Sequence, residues 1–138
     1  MPVRKGIYLF WMIELAMGKQ LARGKVIARA EELSDGTSKK FQLRCRGRSV
    51  EGILVRYAGG LFAYVNRCCH IPMAMDWVDN RFFTEDKRYL ICSTHGATYE
   101  PKTGECVWGP CHGGFLQSVP IRIVEGKVRA YCPEGESK

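Results

Sequence analysis

Histidine is scarce in this chain, with only 3 among 138 residues. Chemistry that needs many imidazoles is therefore excluded before any motif is considered. The sequence also lacks a run of about 20 apolar residues, the length that a helix needs to span a membrane. Cysteine is more frequent, but its count of 7 is odd, so a framework that pairs every cysteine in a disulfide is impossible.

The composition indicates one folded domain. A chain of 138 residues, 46% hydrophobic and 25% charged, can bury a core and is unlike a disordered segment. The formal net charge of +7 belongs entirely to residues 1–50, which hold 11 basic and 4 acidic side chains, whereas residues 51–138 hold 10 of each. Because the basic residues are scattered, we interpret them as a solvated face with a docking surface for an acidic protein, not as a nucleic-acid or membrane site.

One apolar run, Ile7–Met17, precedes the main body of the chain. It is 11 residues long and contains Glu14 at its middle. Three interpretations are open: the core of a signal peptide, a helix packed on the domain, or a leader created by choosing an upstream start codon, with Met12 and Met17 as internal starts. We favour a packed helix or a leader for residues 1–23.

From Gly24 onward the pattern is one of short strands separated by turns. The predicted strands are Lys25–Ala30, Phe41–Arg46, Val50–Tyr57, Leu61–Val65, Arg81–Phe83, Arg88–Cys92, Val119–Ile123 and Val128–Ala130. Strands this short and this numerous predict an all-β sandwich or small barrel. The stretch Asn66–Phe115 has little regular pattern but contains every histidine, which is typical of a site carried on loops that a strand scaffold holds.

Two short motifs in that stretch combine a thiolate with an imidazole. The first is Cys68-Cys69-His70 and the second is Cys92-Ser93-Thr94-His95. Two sulfur and two nitrogen ligands from two loops suit zinc or an iron–sulfur centre. Zinc modules usually place two cysteines together, whereas a [2Fe–2S] cluster with two cysteines on one iron and two histidines on the other uses this inventory directly. A zinc clamp remains the alternative.

With these motifs the sequence resembles the Rieske-type [2Fe–2S] proteins, most closely the soluble Rieske ferredoxins. The segments that carry the resemblance are Asn66–His70, Leu90–Ala97, Lys102–Glu105, Gly109–Cys111 and Val119–Ile121. The resemblance implies an all-β Rieske fold at 24–134, in which a cluster-binding subdomain at about 66–115 is inserted in a β-sandwich base and three antiparallel sheets are present. It also implies one cluster per chain, with Cys68 and Cys92 on the inner iron and His70 and His95 on the outer iron. Residues 135–138 would form a tail.

Departures from the family pattern bear on the reduction potential. The disulfide that links the two cluster loops in respiratory Rieske proteins has no counterpart here, since its positions would fall near Pro72, Met73 and Thr94. Ala97 replaces a serine that donates to a bridging sulfide in those proteins, whereas Tyr99 matches a tyrosine that donates to a cluster cysteine. Fewer donors to sulfur lower the reduction potential, so we expect a low-potential ferredoxin.

The remaining cysteines are expected to be thiols. Cys45 and Cys132 fall in strand patterns and are interpreted as small core residues. Cys106 and Cys111 are close enough to pair, but a reducing compartment favours thiols. We expect Met73, Met75 and Trp77 to cover the cluster from solvent, Trp108 and Phe115 to serve packing or docking, and His112 to be an ordinary loop residue.

The resemblance implies an electron-transfer protein without catalytic residues. It would pass single electrons from a reductase to an acceptor such as a ring-hydroxylating oxygenase, in the cytoplasm and without nucleic acid or a membrane span. The alternatives are the non-catalytic small subunit of an assimilatory nitrite reductase and a zinc-binding interaction module. Oxygenase chemistry needs a second iron on two histidines and a carboxylate, and only His112 is left for it once His70 and His95 are used.

Overall fold

The computed structural model describes residues 24–69, 73–76, 81–93 and 96–133. The predicted N-terminal segment 1–23 and tail 135–138 lie outside these residues, as do His70, His95 and Trp77. Within the described part of the chain there is no helix long and apolar enough to cross a membrane. That part is built from strands and turns, as the all-β prediction requires.

The described residues form nine strands. Their bounds are β1 Lys25–Arg29, β2 Thr37–Cys45, β3 Arg48–Tyr57, β4 Gly60–Val65, β5 Leu90–Ile91, β6 Thr98–Tyr99, β7 Cys106–Trp108, β8 Ile121–Val124 and β9 Lys127–Ala130. They pair in three antiparallel sheets with the orders β1-β9-β8, β2-β3-β4 and β5-β6-β7. The predicted architecture of three antiparallel sheets is therefore confirmed, while the subdomain boundaries stay a prediction.

Three hairpins of this fold use the same two-residue turn. Arg46-Gly47 joins β2 to β3, Ala58-Gly59 joins β3 to β4, and Glu125-Gly126 joins β8 to β9. Both residues of each turn have positive φ, for example 51° at Arg46 and 77° at Gly47. Turns of this kind match the twist of antiparallel strands and require glycine or another residue that tolerates a left-handed conformation. These turns therefore set the register of β2 with β3, of β3 with β4 and of β8 with β9, whereas β1 pairs with β9 across the length of the domain.

Strand β3 faces two hydrophobic cores at once. Because successive side chains of a strand point to opposite faces, Ile53 and Val55 enter one core and Leu54 enters the other. The first core contains Cys68, Cys92 and residues of the short sheet β5-β6-β7. The second core lies between the two larger sheets, β1-β9-β8 and β2-β3-β4. All three β3 residues are at most 1% exposed. The sheet β2-β3-β4, called the central sheet below, therefore packs against the two loops that carry Cys68 and Cys92.

One predicted strand was wrong and two observed strands were not predicted. Residues 81–83 contribute only an isolated bridge, Phe83 to Leu90, and not a strand. The strands Thr98–Tyr99 and Cys106–Trp108 were not predicted. They have two and three residues, which is too short for an alternating pattern to emerge from the sequence.

The interpretation of Cys45 and Cys132 as core thiols was also wrong, because the two form a disulfide. Their Cα atoms are 5.8 Å apart, and 87 positions separate them in the sequence. Cys45 ends β2 and Cys132 follows β9, so the bond joins the two larger sheets. The sequence pattern indicates the strands near each cysteine, but which strands lie side by side depends on tertiary packing.

Candidate metal centre

Cys68 lies on the first loop, directly after β4. The Asn66 amide donates to the Glu51 carbonyl at 2.9 Å, and the Cys68 amide donates to the Met73 carbonyl at 2.7 Å, which folds the loop back on itself. Cys68 is 3% exposed. The loop therefore places this sulfur inside the core and not at the surface.

Cys92 lies on the second loop, directly after β5, and is fully buried. Its amide donates to the Ala97 carbonyl at 2.8 Å, and the Gly96 amide donates to the Cys92 carbonyl at 2.9 Å. The Ser93 amide donates to the Met75 carbonyl at 2.8 Å, which ties the second loop to the first. Cys68 and Cys92 belong to the same hydrophobic core.

The buried Tyr99 of β6 places its phenol oxygen at the centre of the site. This oxygen lies 3.3 Å from the Cys68 sulfur, 3.3 Å from the Cys111 sulfur and 3.0 Å from the Cys69 backbone nitrogen. Burial and the hydrogen bonds to the two thiols raise the pKa of Tyr99 well above its ordinary value. The phenol thus keeps its proton and can donate it to a sulfur, as the resemblance implied for this residue.

A group of three thiols, Cys69, Cys106 and Cys111, lies beside the phenol, and Cys111 is the member whose sulfur contacts the phenol oxygen. Cys69 is exposed, Cys111 is half-buried and Cys106 is buried. Burial, reinforced by the neighbouring Cys111, raises the pKa of Cys106 to about 11 and also raises that of Cys69. Cys106 and Cys111 form no disulfide with each other.

A buried polar network attaches the first loop to the central sheet. The Asn66 side chain donates to Glu51 Oε1 at 2.6 Å and to Asp76 Oδ1 at 3.0 Å, and accepts from the Met75 amide at 2.9 Å. Lys40 Nζ of β2 lies 2.9 Å from Asp76 Oδ2. Burial by itself raises the pKa of Asp76, but hydrogen bonds from Asn66 and Lys40 outweigh it, so this pKa lies below its ordinary value of 3.8.

Replacing Asp76 by asparagine is expected to lower stability at neutral pH and to abolish part of its acid dependence. A lowered folded-state pKa means that the stabilisation is complete above pH 3.8 and is lost as the pH falls through the folded-state value. The Lys40 side chain is 42% exposed, so solvent screening limits the loss to about 1 kcal/mol. Denaturant unfolding between pH 3 and pH 7 measures the gap between the two proteins. A gap that stays constant across this range would contradict the role of Asp76.

Gly109 brings a third segment against the second loop. Its φ is +107°, and a methyl group at this position would lie 2.8 Å from the Ala97 Cα and 3.4 Å from the Ala97 nitrogen. Both atoms belong to the backbone, which cannot yield as a flexible side chain does. Gly109 therefore permits a close approach of the turn that carries Cys111.

We expect Gly109→Ala to destabilise the protein by about 2 kcal/mol or more, because strain and a backbone clash add. Gly113→Ala is the matched control: its φ is +90°, but no atom lies within 4 Å of the added methyl group. The control isolates the backbone strain, which costs about 1 kcal/mol. Thermal unfolding of both variants measures the difference, and equal losses would show that the contact with Ala97 is unimportant.

The structure brings together part of the predicted site. Cys68 and Cys92 converge in one core, whereas His70 and His95 lie outside the described residues. Among the residues that are described, no group of three or more histidine, cysteine or acidic side chains could hold a metal ion. Met75 is buried, while its role in covering the cluster stays a prediction, and His112 is an exposed loop residue, as expected. The sequence analysis did not predict the roles of Asn66 and Asp76 or the contact of Cys111 with Tyr99. The sequence contains no signal for any of these contacts other than the polar character of Asn66 and Asp76.

Comparison with models of protein families identifies the domain that carries this site. The model of the Rieske [2Fe–2S] domain matches residues 24–130, which is most of the chain. The chain belongs to the Rieske [2Fe–2S] domain family. No curated protein sequence matches this Rieske chain significantly.

Solved structures share the Rieske fold at low identity. The ferredoxin of carbazole 1,9a-dioxygenase from Nocardioides aromaticivorans IC177 is 19% identical with a TM-score of 0.61, over 80% of this chain and 98% of that one. The terminal oxygenase of carbazole 1,9a-dioxygenase from Novosphingobium sp. KA1 is 21% identical with a TM-score of 0.63, over 81% of this chain and 31% of that one. A reduced oxygenase–ferredoxin complex of carbazole 1,9a-dioxygenase matches at 19% identity and a TM-score of 0.62, over 80% of this chain and 28% of that one. The Rieske chain thus spans less than a third of these oxygenase chains and matches the ferredoxin over nearly its whole length.

The described residues fit the [2Fe–2S] cluster that a Rieske domain holds. Two cysteine side chains, Cys68 and Cys92, lie in one core and on loops that a backbone hydrogen bond joins. A buried phenol stands at hydrogen-bond distance from the Cys68 sulfur. Thiolate ligands with a hydrogen-bond donor beside them are what an iron–sulfur centre requires. The protein therefore carries one [2Fe–2S] cluster.

Proposed function

We propose that this protein is an electron carrier that passes single electrons from a reductase to an acceptor such as a ring-hydroxylating oxygenase. The observation that carries the proposal is the Rieske domain over residues 24–130 together with the buried set of Cys68, Cys92 and Tyr99. The match over nearly the whole length of a ferredoxin supports a carrier that works as a separate component. No residue of the chain is assigned a catalytic role.

The proposed ligands are Cys68, His70, Cys92 and His95. When bound, the [2Fe–2S] cluster supplies a reversible one-electron oxidation and reduction. Cys68 and Cys92 supply sulfur from the buried side, and the first and second loops that carry them also carry His70 and His95. The Tyr99 phenol lies 3.3 Å from the Cys68 sulfur, to which it can donate a hydrogen bond, and the Asn66 and Asp76 network holds the first loop on the central sheet. The chain's own contribution is thus to position and tune the ligands.

Two exposed aromatic residues, of which Trp108 lies beside the second loop, support docking of a redox partner. Trp108 is 65% exposed and Phe115 is 57% exposed. A methyl group on Gly96 would lie 3.4 Å from the Trp108 ring, so this ring borders the second loop. Aromatic side chains of this kind are enriched at protein interfaces. We infer that the partner approaches over this face, next to the loop that carries His95.

Cluster content and electron transfer test the proposed function together. We expect two iron atoms and two acid-labile sulfides per chain, a red-brown colour, and a characteristic EPR spectrum after reduction. Rapid-mixing experiments with a flavin reductase and a ring-hydroxylating oxygenase then measure reduction and reoxidation of this protein. Zinc without sulfide would contradict the Rieske assignment, and a loaded protein that only a nitrite reductase reoxidises would support that alternative.

We keep the cytoplasm as the proposed compartment. The thiols Cys69, Cys106 and Cys111 fit a reducing environment, whereas the bond between Cys45 and Cys132 fits an oxidising one. Alkylation of the protein in acid-quenched cells, followed by mass spectrometry, decides between them. Detection of the chain only in an extracytoplasmic fraction would contradict the proposal.

A further inference from the structure

We propose that Cys111 is a positioning residue that raises the reduction potential by donating its S–H to Tyr99, which in turn donates to Cys68. The inference rests on the proposed function, in which Cys68 is a cluster ligand. It concerns a cysteine that is not itself a ligand in that assignment. Cys111 lies in the turn after β7, 43 positions beyond Cys68 in the sequence.

A count of protons at the Tyr99 oxygen fixes the direction of each hydrogen bond. A phenol has one proton to donate and two lone pairs that accept. The Cys69 backbone amide donates to it at 3.0 Å and occupies one lone pair. A cysteine sulfur bound to iron carries no proton, so the Cys68 sulfur at 3.3 Å can only accept. A hydrogen bond between the phenol and Cys68 therefore uses the phenol proton, which leaves the remaining lone pair to accept from Cys111 at 3.3 Å.

The surroundings of Cys111 direct its proton to the same place. Cys106, on one side, directs its thiol to the Trp108 carbonyl at 3.4 Å. Cys69, a second neighbouring thiol, interacts with the Phe115 backbone. Because the Cys106 thiol donates to Trp108, Cys111 directs its own proton to Tyr99. The result is a series of two hydrogen bonds, from Cys111 to Tyr99 and from Tyr99 to the buried Cys68.

Such a series acts in one direction on the potential. Hydrogen bonds in a chain polarise one another, so a donor to the phenol oxygen makes its O–H a stronger donor to Cys68. A stronger donor stabilises the extra negative charge of the reduced state, which raises the reduction potential. Removing the S–H at Cys111 should therefore lower the potential while the phenol and its contact with Cys68 remain.

Two substitutions at Cys111 separate the effect of its S–H donor from the effect of its side-chain size. Cys111→Val has a similar size without a donor, and Cys111→Ser keeps a donor. At a fixed ambient potential we expect Cys111→Val to lower the ratio of reduced to oxidised protein by about twofold. This change corresponds to a fall of about 18 mV in the reduction potential, at 59 mV per tenfold. Cys111→Ser should leave the ratio unchanged or raise it. Cys111→Ala serves in place of valine where valine does not fold. Cys106→Ala is the matched control, because it removes a neighbouring thiol that is not one of the three contacts of the Tyr99 oxygen.

The measurement is a spectroscopic redox titration of each protein, repeated in a Tyr99→Phe background. If Cys111 acts through Tyr99, the effect of Cys111→Val disappears in that background. An unchanged potential in Cys111→Val, or an equal shift with and without the phenol, would overturn the inference. Wild-type protein without iron and sulfide would instead be a failure of the proposed function, so the two outcomes are distinguishable.

Discussion

Cys68→Ser and Cys92→Ser are each expected to yield protein that lacks the [2Fe–2S] cluster and is colourless. Both side chains are at most 3% exposed and lie in the core beneath the two loops. Serine is nearly the same size as cysteine, but its hydroxyl is a harder ligand and is far less acidic than a thiol, so it is a poor substitute for a thiolate on iron. The expected loss is at least tenfold in iron and acid-labile sulfide per chain, measured chemically and by visible absorption.

The adjacent residue provides a close control for this prediction. Cys69 follows Cys68 directly, but its side chain is exposed. Cys69→Ser removes one thiol from the same loop and should keep iron and sulfide at the wild-type content. Wild-type cluster content in Cys68→Ser would contradict the ligand assignment, and so would loss of the cluster in Cys69→Ser with retention in Cys68→Ser.

The two larger sheets could be predicted from the sequence because their signals are local. Alternation of apolar residues is visible in the strands β2, β8 and β9, and a continuous apolar run marks β3, which is buried on both faces. A two-residue turn with glycine in second place closes each of these hairpins. In the sheet β5-β6-β7 only β5 lies within a predicted strand, Arg88–Cys92, because strands of two or three residues depend on contacts with the loops around them.

The candidate site likewise has one part that the sequence predicts and another part that only the folded structure shows. The spacing of Cys68 and Cys92 to their neighbouring histidines is a short-range pattern, so the sequence alone indicated a zinc or iron–sulfur centre, and the family resemblance favoured the cluster. The contacts of Tyr99 with Cys111 and of Asn66 with Asp76 join different segments of the chain. Which side chains meet there is decided by the packing of the loops on the central sheet. Polar residues such as Asn66 and Asp76, each 7% exposed, look like ordinary loop residues until their burial is known.

Loss of the disulfide between Cys45 and Cys132 is expected to have a large effect on the free energy of unfolding. Removing it by the double substitution Cys45→Ala and Cys132→Ala should destabilise the protein by about 3–4 kcal/mol. A cross-link across 87 positions restricts the unfolded chain strongly, and the restriction grows with the logarithm of the loop length. Cys45 is 1% exposed, so loss of its sulfur also leaves a small gap in the core between the two larger sheets.

Reduction of the wild-type protein separates the covalent bond from this gap. Unfolding of the wild type and the double variant in denaturant, each with and without a strong reductant, measures both contributions. Reductant should lower the wild-type midpoint and leave the double variant unchanged. A variant that instead lacks Cys69 and Cys106, two cysteines outside any disulfide, should keep the wild-type response to reductant. Because the bond joins β2 to the segment after β9, its loss should loosen the two larger sheets and not the loops that carry Cys68 and Cys92. A wild-type midpoint that does not respond to reductant, with the bond shown by mass spectrometry to be broken, would contradict a stabilising role.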